Sequence, residues 1–401
     1  MTVTDDAAVE GRFLDPASAE FLEDPHPIYD ELRAGGPMVR DPIGWSTIDY
    51  ASSMKAFADV ALSPGIDPLL ESKGVEALWG EPGHTLTDSE GADHQRLRRV
   101  VGPWFNPRRV EQLRGRVRAL VEEILVGADP DRPLDLMADL ADVVPARLFC
   151  WMVGAPDSAA GHLAAMSKTM LTVFTATEEM VEPVRAAKAE MFALTDELLA
   201  AKRGTDGDDV TCLLLAAQAE GAISETDTFH LLEELLSASV DNTANTAGLA
   251  VWTLLRHPDA FARVVADLDL VPPAMEECGR YEPAIRHTIK YATAPTEVGG
   301  VEVGAGEFVT IHIAAAHRDP AIYDDPHRFD IHRDPPKPQL SFGSGRHFCL
   351  GSALGRMEVA EIIRGLAVHH PDVAIGDGVS MSLNSAGLVH ALPLDLRGDR
   401  P

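Results

Sequence analysis

The stretch from Ser341 to Val359, SFGSGRHFCLGSALGRMEV, sets one cysteine, Cys349, between a glycine-rich loop and the start of a helix. Gly343, Gly345 and Gly351 allow the backbone to approach a flat group closely and to adopt positive φ, which a side chain would oppose. Phe342 and Phe348 supply apolar walls. From Leu350 the apolar residues fall at helical spacing (Leu354, Met357, Val359, Ile362, Ile363, Leu366). The sulfur therefore precedes a helix N-terminus, whose free N–H groups and positive dipole end favour a thiolate. A thiolate in a glycine cradle is a metal ligand. The other cysteines, Cys150, Cys212 and Cys278, are scattered, with neither CxxC pairs nor a disulfide framework.

Three further clusters can carry chemistry. His94 and Arg98 are four residues apart, so both project from one helical face and can reach a single anionic group. Between Arg96 and Arg118 the arginines 96, 98, 99, 108, 109, 114, 116 and 118 meet one acid, Glu111, a local reversal of sign in a chain of net charge -29. The third lies inside the longest helical pattern, Glu225 to His257, which opens on the capping-box pair Ser224 and Asp227 and stops at Pro258. There Ser237 to Asn245, SASVDNTAN, interrupts the apolar positions. A buried helix avoids such a stretch unless its polar groups have a use.

The string F-G-x-G-x-H-x-C-x-G at Phe342, Gly343, Gly345, His347, Cys349 and Gly351 resembles the proximal haem loop of the cytochrome P450 family at every motif position. The resemblance continues through most of the chain. Ala238 to Thr243 is similar to the family's A-G-x-D-T-T signature, with Ser239 for Gly and Asn242 for the usual Thr; Glu277 and Arg280 match its Glu-x-x-Arg pair, which Arg333 could complete; Ala316 to Pro320 is close to A-N-R-D-P. It implies a mainly helical P450 fold with a small β-sheet region, haem b held through Cys349, and His94, Arg98 and His347 on the haem propionates. Lys290 falls where many members carry arginine, replacing a planar fork with a point charge. A thiolate ligand donates electron density to iron and favours O–O cleavage.

The resemblance further implies a monooxygenase that hydroxylates or otherwise oxidises a small or medium apolar molecule with O2. Electrons would come from a ferredoxin-type partner docked on the arginine patch, since no G-x-G-x-x-G nucleotide motif is present. A peroxide-using or non-hydroxylating variant and a non-enzymatic haem sensor are the alternatives. Asp241 is expected to gate proton entry and Asn242 to position the reacting oxygen and water, with Thr243 turned away by about 100° around the helix. Leu235, Ala238 and Ile285 are the expected pocket lining, with Phe174 behind them in rank; Arg286 is expected to lie outward or on a propionate rather than to meet substrate.

Composition sets limits on these readings. With 401 residues, 45% hydrophobic and 24% charged, the chain is an ordinary globular one, read as a single domain over 1–401. The acidic surface argues against nucleic acid or anionic membrane as partner and for a soluble monomer. No apolar run of about 18 residues occurs and Met1 to Arg12 is acidic rather than signal-like, so a cytoplasmic location is expected. Helices are expected over Arg114–Leu125, Asp135–Val153, Ala159–Phe174 and Glu182–Ala201, a long loop over Ser63–Asp93 and strand-like stretches over Glu297–Val309 and Leu383–Leu394; the family resemblance implies that the loop covers the substrate and that Met166–Pro183 is a lid.

Overall fold

The computed structural model describes residues 12–72, 84–129, 132–172, 178–334, 337–383 and 387–397. Helices dominate. The elements that build the site are α1 (Gly91–Val101), α2 (Pro107–Gly127), α3 (Glu178–Lys202), α4 (Glu225–Ala238), α5 (Asp241–Arg256), α6 (Val271–Tyr281) and α7 (Ser352–His369). A five-stranded sheet stands beside them. Its order is Met38–Arg40, Gly44–Thr47, Phe308–His312, His287–Ala292 and Leu62–Pro64, with only the second and third of these parallel. Among the described residues no helix is long and apolar enough to cross a membrane.

The largest apolar cluster runs through α2, α4, α5, α6 and α7. The helix α7 lies deepest, with Leu354, Met357, Ile362, Ile363 and Leu366 buried, as their spacing requires. It packs closely on α2 because residue 365 is glycine: a Cβ there would stand 2.4 Å from a Val121 methyl carbon. The cysteine behind the loop is thereby tied to a rigid element.

Several boundaries differ from expectation for local reasons. The long helix is broken into α4 and α5 at Ser239 and Val240. The capping box at its start is present, Ser224 and Asp227 each accepting from the other's backbone N–H. At the break, the Ser239 hydroxyl donates to the Leu235 carbonyl, Thr243 donates to Ser239 O at 3.4 Å, and Asn245 Nδ2 donates to Asp241 O at 2.9 Å. Short polar side chains that bond the preceding turn bend helices, and here three do so within one turn and a half. Asp135–Val153 likewise divides, into a π-helical turn over Leu136–Ala141 and a helix over Val143–Val153. The expected single strand near Glu297–Val309 is a hairpin, Thr296–Val298 with Val301–Val303, followed by Phe308–His312. Gly299 and Gly300 turn it with φ of 56° and 80°.

The covering loop is partly ordered as a strand, Leu62–Pro64, and a helix, Ile66–Ser72; residues 73–83 fall outside the described set, as do 173–177 of the lid, Phe174 among them. The C-terminal strands are Gly387–Ala391 and Pro393–Asp395.

Candidate active site

The loop that carries Cys349 is built from the backbone outward. The buried His317 ring accepts the Leu340 N–H at Nε2, 2.6 Å, so its proton sits on Nδ1, which donates to the Arg280 carbonyl at 3.2 Å. Burial holds that imidazole neutral, its pKa down near 3. Arg280 is itself fixed by Glu277 (2.7 and 2.8 Å) and by the carbonyls of His317, Pro326 and Arg328. Arg333 joins Glu277 at 3.3 Å, completing the ion cluster expected from the sequence. From this anchor the chain turns, Gly343 N–H to Leu340 O at 2.8 Å, and Cys349 N–H closes onto Phe342 O at 3.0 Å. Gly345 has φ of 72°, and a Cβ there would lie 2.8 Å from the Phe57 carbonyl oxygen, so only glycine fits.

Cys349 is exposed, whereas Cys150, Cys212 and Cys278 are buried. Its surface opens into a cavity of about 440 Å³. Desolvation by the cavity walls pushes the thiol above its ordinary pKa, and the Gly351 N–H with the charges of Arg98 and Arg356 offsets part of this. A bound metal deprotonates a coordinating thiol outright.

Phe342, Gly343 and Gly351 line the cavity beside the sulfur, as expected. Arg98, Lys290 and His347 line one end of it. Arg98 donates to Phe348 O at 2.6 Å, bracing the cysteine loop. Lys290 is buried on the strand His287–Ala292, and burial lowers its amine to about 8. His347 meets Glu90 at 3.2 Å, and burial lowers its ring to about 4. His94 is not in the cavity wall; its ring lies 4.6 Å from that of His347 and its buried Nε2 lacks a hydrogen-bond partner. His94 and Arg98 share α1, as their spacing predicts, but of the two Arg98 alone reaches the cavity wall, His94 standing behind His347.

The opposite wall comes from α4 and α5. Leu235, Ala238 and Ile285 all line the cavity, and so does Asn242. Two expectations change here. Thr243 also lines the cavity, because the wall takes in an arc of α5 wide enough to include Asn242, Thr243 and Thr246. Asp241 does not: it is buried, bonded by Asn245 Nδ2 at 2.8 Å, while Asn245 Oδ1 accepts the Val389 N–H at 2.8 Å. Burial lifts the Asp241 carboxyl to about 6, against the nearby charge of Lys168. Arg286 is outside the cavity wall, but it is buried against Glu282 rather than turned outward, the ion pair removing the cost that an unpaired buried charge would carry.

The arginine patch is less free than its composition implied. Arg114 and Arg118 both hold the buried Glu361 of α7, Arg109 meets Asp208 and stacks on Trp104, and Arg96 meets Asp227. Arg99, Arg108 and Arg116 are exposed, Arg116 over the Trp151 ring.

Two carboxyls in the wall went unnoticed in the sequence. Glu358 sits on α7 among apolar residues, fully buried, with Oε1 unpaired, and burial carries it to about 8. An acid between Met357 and Val359, both core residues, was its only sequence signal. Glu234 of α4 accepts from Leu86 N (2.6 Å), Thr87 N (2.8 Å) and Thr87 Oγ1 (2.5 Å), holding the end of the covering loop against the cavity.

These features fit a large, flat, dianionic apolar group. One end of the cavity offers cations, with an orphaned imidazole nitrogen set behind His347, the walls include Phe57, Phe105, Phe342 and Leu354, and a glycine cradle adjoins a lone sulfur. Among the described residues no cluster of three or more His, Cys, Asp or Glu could hold a metal ion alone.

Residues 134–366 match the family model described as Cytochrome P450. The chain is 34% identical to the cytochrome P450 monooxygenase PikC of Streptomyces venezuelae over 89% of its own length and 86% of the relative's. It is 30% identical to the 6-deoxyerythronolide B hydroxylase of Saccharopolyspora erythraea, covering 96% and 99%. A solved structure of P450BioI, in complex with an acyl carrier protein ligated to hexadec-9Z-enoic acid, superposes with a TM-score of 0.85 at 26% identity, covering 94% of this chain and all of that one. The cysteine cradle, the cationic end of the cavity and these likenesses agree: the chain belongs to the cytochrome P450 family, whose cofactor is haem b bound through a cysteine thiolate.

Proposed function

We propose that Cys349 is the thiolate ligand of the haem, and that the protein is a monooxygenase that oxidises a small or medium apolar organic molecule with O2 and electrons from a ferredoxin-type donor. The observation that carries this reading is the exposure of Cys349 into a cavity with cations at one end and the Asn242 wall across it. When bound, haem supplies the iron at which dioxygen is reduced and a substrate C–H bond is oxidised.

The chain's own residues divide the remaining work. Arg98, Lys290 and His347 would hold the cofactor's carboxylates, with His94 supporting His347, and pairing with those carboxylates is what makes burial of Lys290 tolerable. Phe342, Gly343 and Gly351 keep water from the sulfur. Leu235, Ala238 and Ile285 exclude water from the opposite face and orient an apolar substrate. The Asn242 amide donates a hydrogen bond across the cavity and orders water, a role an NH2 group can fill although it cannot ionise. Asp241, held near 6, takes up and releases a proton behind Asn242, on the side of Lys168 and Asp142. The exposed Arg99, Arg108 and Arg116 attract an acidic donor.

The test is spectroscopic first. The reduced carbon-monoxide complex should show the red-shifted Soret band of thiolate haem, and Cys349→Ala should abolish it; a wild-type spectrum without that band would end the assignment. Turnover with NADH, ferredoxin and reductase then supports the monooxygenase reading. Turnover with peroxide alone would move the protein to the peroxide-using class, and reversible gas binding with neither would make it a sensor.

A further inference from the structure

Where the family's helical signature has glycine this chain has Ser239, and neither the cysteine cradle nor the groups assigned to proton movement use that side chain. Leu235, Ser239, Asn242 and Thr246 follow one another at intervals of four, three and four residues, so they stand in one line along the helical wall. All four line the cavity, while the next residue, Val240, is 1% exposed and belongs to the apolar core. Ser239 therefore occupies the middle of the cavity face, one turn before Asn242. Around it the wall is apolar, with Leu235 and Ala238 on α4 and Ile285 and Ile289 from the chain near the sheet.

The count of hydrogens decides what Ser239 can recognise. A hydroxyl has one hydrogen and two lone pairs. The hydrogen of Ser239 goes to the Leu235 carbonyl, which has none to return, so the oxygen keeps acceptor capacity alone. Thr246 is committed in the same way to Asn242 O at 2.7 Å, and Thr87 to the Glu234 carboxylate at 2.5 Å. When an apolar molecule drives water from a cavity, an acceptor left in the wall loses its hydrogen bond, a cost that only a donor on the incoming molecule recovers. A serine that served only to bend the helix would carry no such preference.

We propose that Ser239 is a specificity-determining residue that accepts a hydrogen bond from a neutral hydroxyl group of the substrate, so that the molecule oxidised at the haem is an alcohol on an apolar body rather than a bare hydrocarbon. The inference rests on the apolar-substrate reading given above and narrows it. A neutral donor suits the place, because a single oxygen among apolar side chains does not offset the desolvation of a charged one. Glycine at 239 would offer no side-chain oxygen, so the preference comes from this chain's departure from the signature.

Two pairs of probes test this on the haem-loaded protein by calorimetry: 1-decanol with 1-fluorodecane, and 1-adamantanol with 1-fluoroadamantane. Fluorine stays close to the size of a hydroxyl and lacks its hydrogen. In at least one pair the alcohol should bind about tenfold more tightly than the fluoride, a difference of about 1.4 kcal/mol. Ser239→Ala should bring that alcohol to within about twofold of its fluoride, while the fluoride's affinity and the thiolate carbon-monoxide band stay as in the wild type. Ser239→Thr keeps the oxygen and should keep the ratio, whatever its added methyl group does to the two affinities. The Soret band of each complex separates this hydrogen bond from an alcohol bound to iron. Equal affinities within both pairs overturn the hydroxyl site and leave the apolar reading standing, as does an alcohol preference that survives Ser239→Ala. Equal weakening of alcohol and fluoride in Ser239→Ala overturns it too, reducing Ser239 to packing. Failure of all four probes to bind overturns both readings.

Discussion

Replacing Glu277 with alanine should destabilise the protein by about 3–5 kcal/mol, the cost of stranding one partner of a buried ion pair. The magnitude follows from the surroundings. Glu277 and Arg280 have side-chain exposures of 4% and 2%, so neither charge can be rescued by water. With Glu277 gone, Arg280 keeps only the carbonyls of His317, Pro326 and Arg328, Arg333 loses its carboxylate, and the Asp330 N–H loses the acceptor it reaches at 2.9 Å. The neighbouring Glu276 is the internal control. It meets Arg356, but the two side chains are 40% and 31% exposed, and Glu276→Ala should cost about 1 kcal/mol or less. The measurement is urea unfolding of the two variants beside wild type, followed by far-UV circular dichroism and by the haem Soret band. Because Arg280 holds His317, and His317 holds the first turn of the cysteine loop, the Soret band of Glu277→Ala should be lost at lower urea than the helical signal. Equal costs for Glu276→Ala and Glu277→Ala, or loss of both signals together, would refute the claim that this cluster anchors the cysteine loop.

Other outcomes follow from the same geometry. Asn242→Ala should raise peroxide release per NADH consumed, Asn242→Thr should stay coupled, and Asp241→Asn should slow turnover most; wild-type coupling in Asn242→Ala with altered substrate affinity alone would reduce Asn242 to a substrate contact. Arg108→Glu with Arg116→Glu should raise the ferredoxin concentration needed for half-maximal turnover and flatten its salt dependence, and unchanged kinetics at limiting ferredoxin would remove the patch from docking. Glu358→Gln should stabilise the fold, and more so as pH rises. The folded carboxyl titrates near 8 and the unfolded one near its ordinary value, so its contribution is fully present at low pH and lost as pH rises through the folded value. The gain from glutamine should therefore grow between about pH 5 and pH 8, by at most about 1.4 kcal/mol per pH unit. A gain independent of pH, read from urea midpoints, would show that Glu358 is paired in solution.

The cysteine loop was legible in the sequence because its constraints are local. A glycine needed at φ of 72°, a sulfur before a helix and an aromatic wall each leave a residue-type signature within a few positions. Helix existence was legible for the same reason, from apolar spacing, and so was the capping box at Ser224. What the sequence did not show depends on contacts made across the fold. Arg114 and Arg118 look free in a basic run and are spent on Glu361, more than two hundred positions away. His94 fits the spacing argument with Arg98, yet stands behind His347 because two helices and a loop meet there. Glu234 holds Leu86 and Thr87 from far along the chain, so no window of sequence contains that contact.

The break between α4 and α5 shows how such a contact changes a chemical assignment. On α5, Thr243 stands about 100° round the helix from Asn242. Here Ser239, Thr243 and Asn245 bond the backbone one turn back, and Asn245 also reaches across to Val389. The cavity wall takes in an arc of α5 that spans both Asn242 and Thr243, while Asp241 is drawn onto Asn245 instead of facing the cavity. The amide at 242 is thus backed by a hydroxyl at 243 that can rotate its proton, which an amide cannot. Asn245 ties the Asp241 carboxyl to the strand Gly387–Ala391, so that under the proton role proposed for Asp241 a shift of Val389 would alter proton movement. Losing that acceptor and the Asp241 contact in Asn245→Ala should therefore change the pH profile of turnover, which reports Asp241, more than it changes substrate affinity. A variant with the wild-type pH profile and weakened substrate binding would place Asn245 in packing alone.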